Sequence, residues 1–505
     1  MGIARKLHEL YGSRNVMIFG AGEIGKRVFD VLKQCGIETV CFVDNNPRLS
    51  GSVISGLPVI SPKNIKEYEN KGAIIQVASK FSNDIMVQLR TEHTSIQAVS
   101  TEDFLKAYTD NAPGLDDCFS DGIMRLRITN FCGGKCRFCG QKAWDEKTNH
   151  THMPREWLFD YIRPVYKRIK QLLVTGGDAF SSPYSEDFLH MISKEYPHVN
   201  VMTESNGVPF TEKWWELFSD NLMLPHFSVN GSNEDVFIKG CWNGDHGKEV
   251  YRTIINNLGG YVELLKEKKL LAFAPNYSMV INRDNYEDVY DFVCLCLRLH
   301  ARSIGFYFDY AESRMSDDYF GESDSSRKAL KTLLELETLL KDRVSISFRL
   351  WLPLKELEKA QKDGYEKDAK SLKTKYREAD MLAQGRSVKG EWEERNRIRS
   401  ERRKRTLSFE EDIHPSLHKM FNGDKWVCSN PWRMIDLYPT GRIEFCGWYE
   451  PKTLDFNNFI HDGKVNWEEI YNHPWFRFGR NEVMNGCYWG CMKCCPMIDK
   501  VQNGE

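Results

Sequence analysis

The chain has no long apolar run: none of its stretches reaches the roughly 18 consecutive apolar residues expected of a membrane helix, and no apolar segment stands near residue 1. We therefore expect a soluble, cytoplasmic protein with no membrane partner. Excess charge is also missing, because 69 Lys and Arg against 71 Asp and Glu leave a formal net charge of −2. Near-neutral charge disfavours a chain built as a whole to bind nucleic acid. Internal repeats are absent too, which disfavours a solenoid.

Cysteine, in contrast, is plentiful, with 15 among 505 residues. In a cytoplasmic protein such a number is not a disulfide framework. Nine of these cysteines fall in two clusters, at 132–139 and at 428–495, and clustering favours metal binding. The length exceeds that of one compact core, so we expect two to four domains.

The first cluster holds Cys132, Cys136 and Cys139, spaced Cys-x3-Cys-x2-Cys, in a loop that follows an apolar stretch at 123–128. Three nearby thiolates can hold three irons of a [4Fe–4S] cluster and leave the fourth iron open. An open iron is a place for chemistry, as the open position of a catalytic zinc is. The residues alone leave a zinc knuckle, or three unrelated thiols, as alternatives.

With Phe138 before the third cysteine, this spacing resembles the signature of the radical S-adenosylmethionine (SAM) superfamily. The resemblance implies that SAM binds the open iron and that a flavodoxin- or ferredoxin-type protein supplies the electron. It also implies a 5′-deoxyadenosyl radical that removes a hydrogen atom from the substrate. The cofactors would carry the difficult chemistry, and the protein would supply orientation and exclude water.

The stretch 120–353 alternates apolar strands with helical segments, which predicts parallel strands joined by helical crossovers in an α/β fold. This is consistent with the partial (β/α)6 barrel of the superfamily. Ligands of parallel β/α folds bind at the C-terminal ends of the strands. The predicted strands are 123–128, 171–175, 200–204, 226–229, 275–281 and 303–308.

Polar turns follow four of these strands and resemble the SAM-binding turns of the superfamily. Their expected contacts are with the SAM amino group after the second strand, with the ribose after the third and fourth, and with the adenine after the fifth. Any one of them is also an ordinary turn, and their order, one β/α unit apart, is what favours a SAM site. The residues are Gly176, Gly177, Asp178, Ser205, Asn206, Ser228, Asn230 and Ile281.

Residues 1–110 predict a Rossmann-like domain. A strand, the turn Gly20-Ala-Gly22-Glu-Ile-Gly25, a helix and a second strand ending in Asp44 form a dinucleotide-binding fingerprint. The segments 42–47 and 54–60 resemble the N-terminal domain of bacterial sugar acetyltransferases. That resemblance implies a nucleotide or nucleotide sugar at Gly20, Gly22, Gly25 and Asp44. The alternative is that residues 1–110 keep the Rossmann-like fold but bind no ligand, or that they serve as an oligomerisation module.

Residues 354–420 form a charged, helix-prone insertion. Its segment Arg395–Arg405 holds seven basic residues and one acidic residue. Such a charge run is typical of a solvated helical face. The alternative is a basic surface that recruits an anionic or phosphorylated partner.

Residues 421–505 contain the second cysteine cluster. The spacing of Cys428, Gly441 and Cys446, with a final Cys-x2-Cys, resembles SPASM and twitch domains, which carry auxiliary Fe–S clusters. Six cysteines favour the version with one [4Fe–4S] cluster, and a zinc ribbon is the alternative. The predicted ligands are Cys428, Cys446, Cys491 and Cys494, with Cys487 and Cys495 left over and Cys487 able to replace Cys491.

These resemblances favour a radical SAM oxidoreductase that oxidises or rearranges a sugar, cyclitol or nucleotide-activated sugar, with the auxiliary cluster accepting or relaying an electron. Arg349, Asp309 and Glu312 are candidates for helping a proton to leave a substrate hydroxyl. A structural ion pair is the alternative for each of them. A peptide-modifying radical SAM/SPASM enzyme, and a non-enzymatic regulator that binds metal and nucleic acid, also stay open.

Overall fold

The computed structural model describes residues 2–69, 71–109, 122–139, 151–242, 245–309, 323–349, 364–403, 434–444 and 454–484. Within these ranges the strands form two large sheets and helices pack beside them, so the fold class is α/β, as predicted. No helix in the described ranges is long and apolar enough to cross a membrane.

The N-terminal sheet has the order β3-β4-β2-β1-β5-β6, and its strands run parallel except β3. The strand, glycine turn, helix and second strand predicted for residues 15–44 are all present, with the helix starting at Glu23. The strands are β1 Val16–Phe19, β2 Thr39–Val43, β3 Val53–Ile54, β4 Leu57–Ile60, β5 Ile74–Val77 and β6 Gln97–Val99. The helices are α1 Gly2–Tyr11, α2 Glu23–Gln34, α3 Lys66–Glu69, α4 Ser82–Glu92 and α5 Thr101–Thr109.

The second sheet contains all six strands predicted between residues 120 and 353. They pair in parallel and in chain order. A seventh strand, Ser345–Arg349, was not among the predicted strands and pairs in parallel with the sixth. Its alternation of exposed Ser345 and Ser347 with buried Ile346 is that of a half-buried strand. The strands are β7 Gly122–Thr129, β8 Ile169–Gly176, β9 Asn200–Ser205, β10 Leu224–Ser228, β11 Asn276–Ile281, β12 Ser303–Phe308 and β13 Ser345–Arg349.

The helices that follow these strands cover one apolar face of the sheet. Leu126, Val174 and Phe227 are buried there in one core with helix residues such as Leu189 and Leu258. A π-helix, Trp157–Tyr161, precedes the first of the helices. The helices are α6 Arg163–Tyr166, α7 Ser185–Glu195, α8 Glu212–Asn221, α9 Glu234–Gly240, α10 Gly247–Glu267, α11 Val289–Arg298 and α12 Asp324–Leu340.

Three later strands extend the same sheet beyond β7. They are β14 Met434–Leu437, β15 Arg442–Glu444 and β16 Leu454–Asp455; β14 pairs in parallel with β7, and the other two continue in antiparallel order. The fully buried carboxylate of Asp436 on β14 accepts hydrogen bonds from Arg125 at 3.2 Å and from Arg127 at 3.3 Å. Residues predicted to open a C-terminal domain are thus joined to the central sheet. The partial barrel and the Fe–S domain stay predictions.

The described part of the charged segment, residues 364–403, contains three helices. Its helices are α13 Ala369–Lys375, α14 Arg377–Leu382 and α15 Val388–Arg403. Leu372, Ala379 and Arg395 are buried, so these helices pack against the rest of the chain and are not wholly solvated.

The C-terminal helices contact the N-terminal domain. They are α16 Trp467–Tyr471 and α17 Pro474–Met484, and they follow a small hairpin of β17 Ile460–His461 and β18 Lys464–Val465. Arg27 Nε on α2 donates to Glu482 Oε2 at 2.5 Å, and Trp475 Nε1 donates to Glu102 Oε1 at 3.0 Å. Residues 474–484 are therefore in direct contact with the N-terminal domain.

Candidate functional site

The cysteine loop begins at the C-terminal end of β7, and backbone and side-chain donors reach one of its sulfurs. The Gly134 N–H donates to Cys132 Sγ at 3.2 Å, and Asn206 Nδ2 donates to the same sulfur at 3.6 Å. The sulfurs of Cys132 and Cys136 lie 3.1 Å and 3.8 Å from the position that a Cβ on Gly134 would take. These two thiols therefore face a common space.

The third thiol, Cys139, lies in the same loop and acts electrostatically on Cys132. Burial, followed by the negative charge of Asp178, raises the pKa of Cys132 to about 12, so this thiol binds metal only by releasing its proton. Among the described residues, no group of three His, Cys, Asp or Glu side chains has the arrangement of a single-ion site. Three thiols that each bind a different iron of a cluster do not need that arrangement.

The glycine pair after β8 holds the cysteine loop against the strand. The Gly177 N–H donates to the Thr129 carbonyl at 2.6 Å, and the Asp178 N–H donates to the Phe131 carbonyl at 3.0 Å. A Cβ on Gly177 would lie 2.1 Å from the Phe131 oxygen, and one on Gly176 would lie 2.1 Å from the Thr129 oxygen. The chain's own backbone therefore occupies the Cβ side of both glycines, and their contact with SAM stays a prediction.

Asp178 is fully buried and orders the turn that follows β9. Its carboxylate accepts hydrogen bonds from the Ser205 hydroxyl at 2.8 Å, from the Asn206 N–H at 2.9 Å and from the Phe180 N–H at 3.0 Å. Burial raises the pKa of Asp178, and these hydrogen bonds only partly offset that effect. Asp178 thus positions Asn206, whose amide reaches Cys132. Its direct contact with SAM stays a prediction.

The predicted residues of the next two strand ends join neighbouring strands to one another. Asn230 Oδ1 accepts from the Val280 N–H at 2.8 Å, and its Nδ2 donates to the Ser228 carbonyl at 3.2 Å. The Ser228 hydroxyl lies 3.2 Å from that of Ser278. Ile281 is buried at the end of β11, and Phe138 packs against the core from the cysteine loop. All of them lie at the edge of the sheet where the cysteine loop begins.

Two of the three proposed proton-handling residues lie at that edge as well. Asp309 directly follows β12, is 4 % exposed, and donates its N–H to the Ile281 carbonyl at 2.8 Å. Arg349 ends β13, where its backbone pairs with Tyr307 of β12. Glu312 lies outside the described residues.

The sequence prediction missed a row of polar side chains on the sheet face opposite the helices. Arg127, Glu204 and His226 are half-buried there on β7, β9 and β10, and Thr175 on β8 donates to Glu204 at 2.6 Å. Burial alone would raise the pKa of Glu204, but His226, Thr175 and the arginines of β7 together lower it. The missed signal was polar residues at every second position of otherwise apolar strands.

The N-terminal domain has a cavity of about 630 Å³ beside the glycine turn, lined by Gly20 and Gly22 among others. A Cβ on Gly25 would lie 1.8 Å from the Gly20 oxygen, whereas one on Gly22 would meet nothing within 4 Å. Asp44 Oδ2 accepts a hydrogen bond from the Ala21 N–H at 2.8 Å. One backbone donor of the glycine turn is therefore already paired with a carboxylate.

The charges around this cavity are mostly negative. Glu23, Asp44 and Asp84 line it together with Lys80. Carboxylates repel phosphates and accept hydrogen bonds from hydroxyl groups. The lining therefore suits the sugar part of a ligand better than a pyrophosphate.

The second cysteine cluster cannot be placed, since Cys428, Cys446, Cys487, Cys491, Cys494 and Cys495 lie outside the described residues. Their assignment to an auxiliary cluster stays a prediction.

The central part of the chain has a clear family match. Residues 126–267 match the model of the radical SAM superfamily, so the chain contains a radical SAM domain. Such a domain implies SAM and a [4Fe–4S] cluster as cofactors. Residues 12–98 match a second model, described as C2185-like, N-terminal. Among curated proteins, none matches the sequence of this chain.

Similar solved structures include SuiB of Streptococcus suis bound to S-adenosylmethionine, with 12 % identity, 84 % of each chain covered and a TM-score of 0.45. The enzyme anSMEcpe with bound AdoMet has 16 % identity and a TM-score of 0.36, over 45 % of this chain and 63 % of that one. UDP-D-quinovosamine 4-dehydrogenase from Vibrio fischeri has 21 % identity and a TM-score of 0.15, over 17 % of this chain and 76 % of that one.

Proposed function

We propose that Cys132, Cys136 and Cys139 hold the [4Fe–4S] cluster of this radical SAM enzyme and that the turns after β8 and β9 hold SAM beside it. The observation that carries the proposal is the common space faced by the Cys132 and Cys136 thiols, next to the Asn206 amide. Thiols are the ligands that iron–sulfur clusters use, so the donor set fits the group.

When bound, the cluster and SAM supply the electron and the 5′-deoxyadenosyl radical that removes a hydrogen atom. The chain's own residues hold these groups in place. The Asn206 amide and the Gly134 N–H direct positive dipoles at Cys132 Sγ, which stabilises the thiolate form. Asp178 orders the Asn206 turn, and Gly177 brings β8 against the cysteine loop.

The polar row of Arg127, Glu204 and His226 supports a polar substrate bound at the same sheet. Arg127 is held by Asp436 and by the Tyr438 ring, 4.6 Å from its guanidinium. The guanidinium of Arg127 is fixed, and the pKa of Glu204 lies below its ordinary value, so Glu204 is charged. Such a pair can orient hydroxyl, amide or carboxylate groups of a substrate. Asp309 and Arg349, at the C-terminal strand ends, are the residues proposed to assist proton loss. An auxiliary cluster at Cys428, Cys446, Cys491 and Cys494 is proposed as the electron acceptor or relay.

Anaerobic reconstitution tests the reaction class. We expect about eight irons per chain if both clusters form, and 5′-deoxyadenosine when the protein is reduced in the presence of SAM. About four irons per chain, together with 5′-deoxyadenosine formation, would support the proposed SAM cluster and refute the proposed auxiliary cluster. Bound zinc with no iron would refute both proposed clusters.

The substrate class is the finer question, and two candidates are tested side by side. A sugar or nucleotide sugar is the first candidate, and the carboxylates that line the cavity of the N-terminal domain support the sugar part of such a ligand but not its phosphates. A peptide is the alternative; SuiB has been solved with its precursor peptide SuiA, and anSMEcpe with peptides. Substrate-dependent 5′-deoxyadenosine formation, measured with nucleotide sugars and with peptides, decides between the two.

The N-terminal cavity gives a separate prediction for Gly22. Since a Cβ there meets nothing within 4 Å, Gly22→Ala should fold normally while its methyl group enters the cavity. We expect nucleotide-sugar affinity, measured by thermal shift, to fall about tenfold, or about 1.4 kcal/mol. Lys33→Ala, on the exposed last turn of α2, should bind as the wild type does. If nucleotide sugars do not shift the melting temperature of the wild-type protein, the nucleotide-sugar proposal is refuted.

A further inference from the structure

Three arginines converge near the N-terminal end of β12, where helix α15 packs. Arg302 directly precedes β12, Arg386 lies just before α15, and Arg395 lies in the middle of that helix. The cysteine loop begins at the C-terminal end of β7 in the same parallel sheet. The arginines therefore lie at the opposite edge of the sheet from the proposed SAM site.

Positive charge exceeds negative charge in this cluster. Glu391 Oε1 accepts hydrogen bonds from Arg386 at 2.9 Å and 3.1 Å. The same carboxylate acts electrostatically on Arg302 and on Arg395. One carboxylate thus faces three guanidinium groups.

Among the described residues, the charges that act on Arg302 are those of Arg395 and Glu391, and Glu391 also acts on Arg395. His300 lies close to Arg386 and to Lys266, and Glu263 is already paired with Lys266 at 2.8 Å. The excess of positive charge therefore belongs to the cluster of Arg302, Arg386 and Arg395.

Two donors of the cluster are buried without an acceptor among the described residues. Within the described residues, Arg302 Nε and Arg386 Nη1 have no hydrogen-bond partner. Arg395 is 9 % exposed, and the charge that acts on its guanidinium is that of Glu391. Burial, followed by the nearby Arg395, lowers the pKa of Arg302 to about 10. Buried donors without acceptors, and buried charges without counter-charges, are unfavourable, so an anion would stabilise this arrangement.

We propose that Arg302, Arg386 and Arg395 form a binding site for a phosphate group. The planar fork of a guanidinium matches two oxygens of a phosphate, and such charge-assisted hydrogen bonds are strong. A phosphate monoester carries about −1.5 to −2 charges near pH 7, which together with Glu391 balances three arginines. The phosphate is either free orthophosphate or part of an organic ligand.

Binding at this site would join the insertion to the central sheet. Arg386 Nη2 already donates to the Ala301 carbonyl at 2.6 Å, and the Val388 N–H donates to the Asp342 carbonyl at 3.0 Å. Arg399, one turn after Arg395, places its guanidinium 5.5 Å from the Phe273 ring. A phosphate held by both Arg302 and Arg395 adds a further link between β12 and α15. We therefore expect it to stabilise the docked insertion.

Isothermal titration calorimetry on the full-length chain tests the site. Orthophosphate and glycerol 2-phosphate are titrated at constant ionic strength, set with sodium chloride. We expect Arg395→Gln and Arg302→Gln to weaken phosphate binding by about tenfold or more. The matched control is Arg397→Gln on the same helix, because Arg397 is 55 % exposed and pairs with Glu394 and Glu401. It should bind as the wild type does.

Binding of both ligands would support a site for a phosphate carried by an organic molecule, and binding of orthophosphate alone would support a site for the free anion. The proposal would be overturned if neither ligand binds, or if Arg397→Gln weakens phosphate binding as much as Arg395→Gln and Arg302→Gln do. If Arg395→Gln does not fold, Arg395→Lys replaces it, since lysine keeps the charge but lacks the fork; its binding should be weaker than that of the wild type. The binding heat does not depend on SAM cleavage, so this result is independent of the proposed reaction.

Discussion

Cys132→Ala is expected to abolish SAM cleavage. Cys132 receives hydrogen bonds from Gly134 and Asn206 and shares a space with Cys136, so its loss removes one of three thiols from the proposed cluster. We expect 5′-deoxyadenosine formation to fall at least about a thousandfold, or about 4 kcal/mol in activation free energy. Iron should fall from about eight to about four per chain, because the proposed auxiliary cluster uses other cysteines.

Cys35→Ala is the matched control for that variant. Cys35 is a half-buried free thiol at the end of α2 and belongs to neither cysteine cluster. Its replacement should leave both iron content and 5′-deoxyadenosine formation unchanged. Full activity in Cys132→Ala, or an equal loss in Cys35→Ala, would contradict the assignment of the cluster to this loop.

The strands and the order of the motifs could be predicted from the sequence because each depends on local pattern. Apolar stretches followed by turns that contain Gly, Asn or Asp mark the strands β7 to β12. The rule that ligands bind at the C-terminal strand ends then placed the cysteines, the glycine pair and Asn206 at one edge. These inferences need no knowledge of side-chain contacts.

Contacts between distant segments could not be predicted in the same way. Asp436 accepts hydrogen bonds from Arg125 and Arg127, which are more than 300 positions away in the chain. In the pairing of β14 with β7, Asp436 lies opposite Arg125. No local sequence pattern predicts this pairing. The cluster of Arg302, Arg386 and Arg395 likewise requires an insertion helix to pack near the start of β12, whereas the charge run alone favoured a solvated helix.

The glycine pair Gly176 and Gly177 has a structural role that the sequence motif alone does not reveal. From the sequence, two glycines before an acidic residue indicate that backbone must approach something closely. The structure identifies the neighbour as the Phe131 carbonyl of the cysteine loop, 2.1 Å from where a Cβ on Gly177 would lie. The motif is therefore a joint between β8 and the cysteine loop as well as the predicted site for the SAM amino group.

Gly177→Ala is therefore expected to displace the cysteine loop. The added Cβ would also lie 2.7 Å from the Asn130 oxygen, and backbone atoms cannot move aside as the end of a flexible side chain can. The loop must shift away from β8, which breaks the hydrogen bond from the Asp178 N–H to the Phe131 carbonyl. We expect loss of about four irons per chain and of at least about a hundredfold in 5′-deoxyadenosine formation.

The comparison that isolates this joint is Gly133→Ala in the same loop. A Cβ on Gly133 would meet nothing within 4 Å, so the two variants add the same methyl group to neighbouring segments and differ in whether backbone opposes it. Gly133→Ala should keep its iron and at least about half of its activity, since exposed substitutions away from special contacts change stability by about 0.5 kcal/mol or less. Equal iron content in both variants would mean that the loop tolerates a shift at Gly177, and the close approach of β8 to the cysteines would then not control cluster binding.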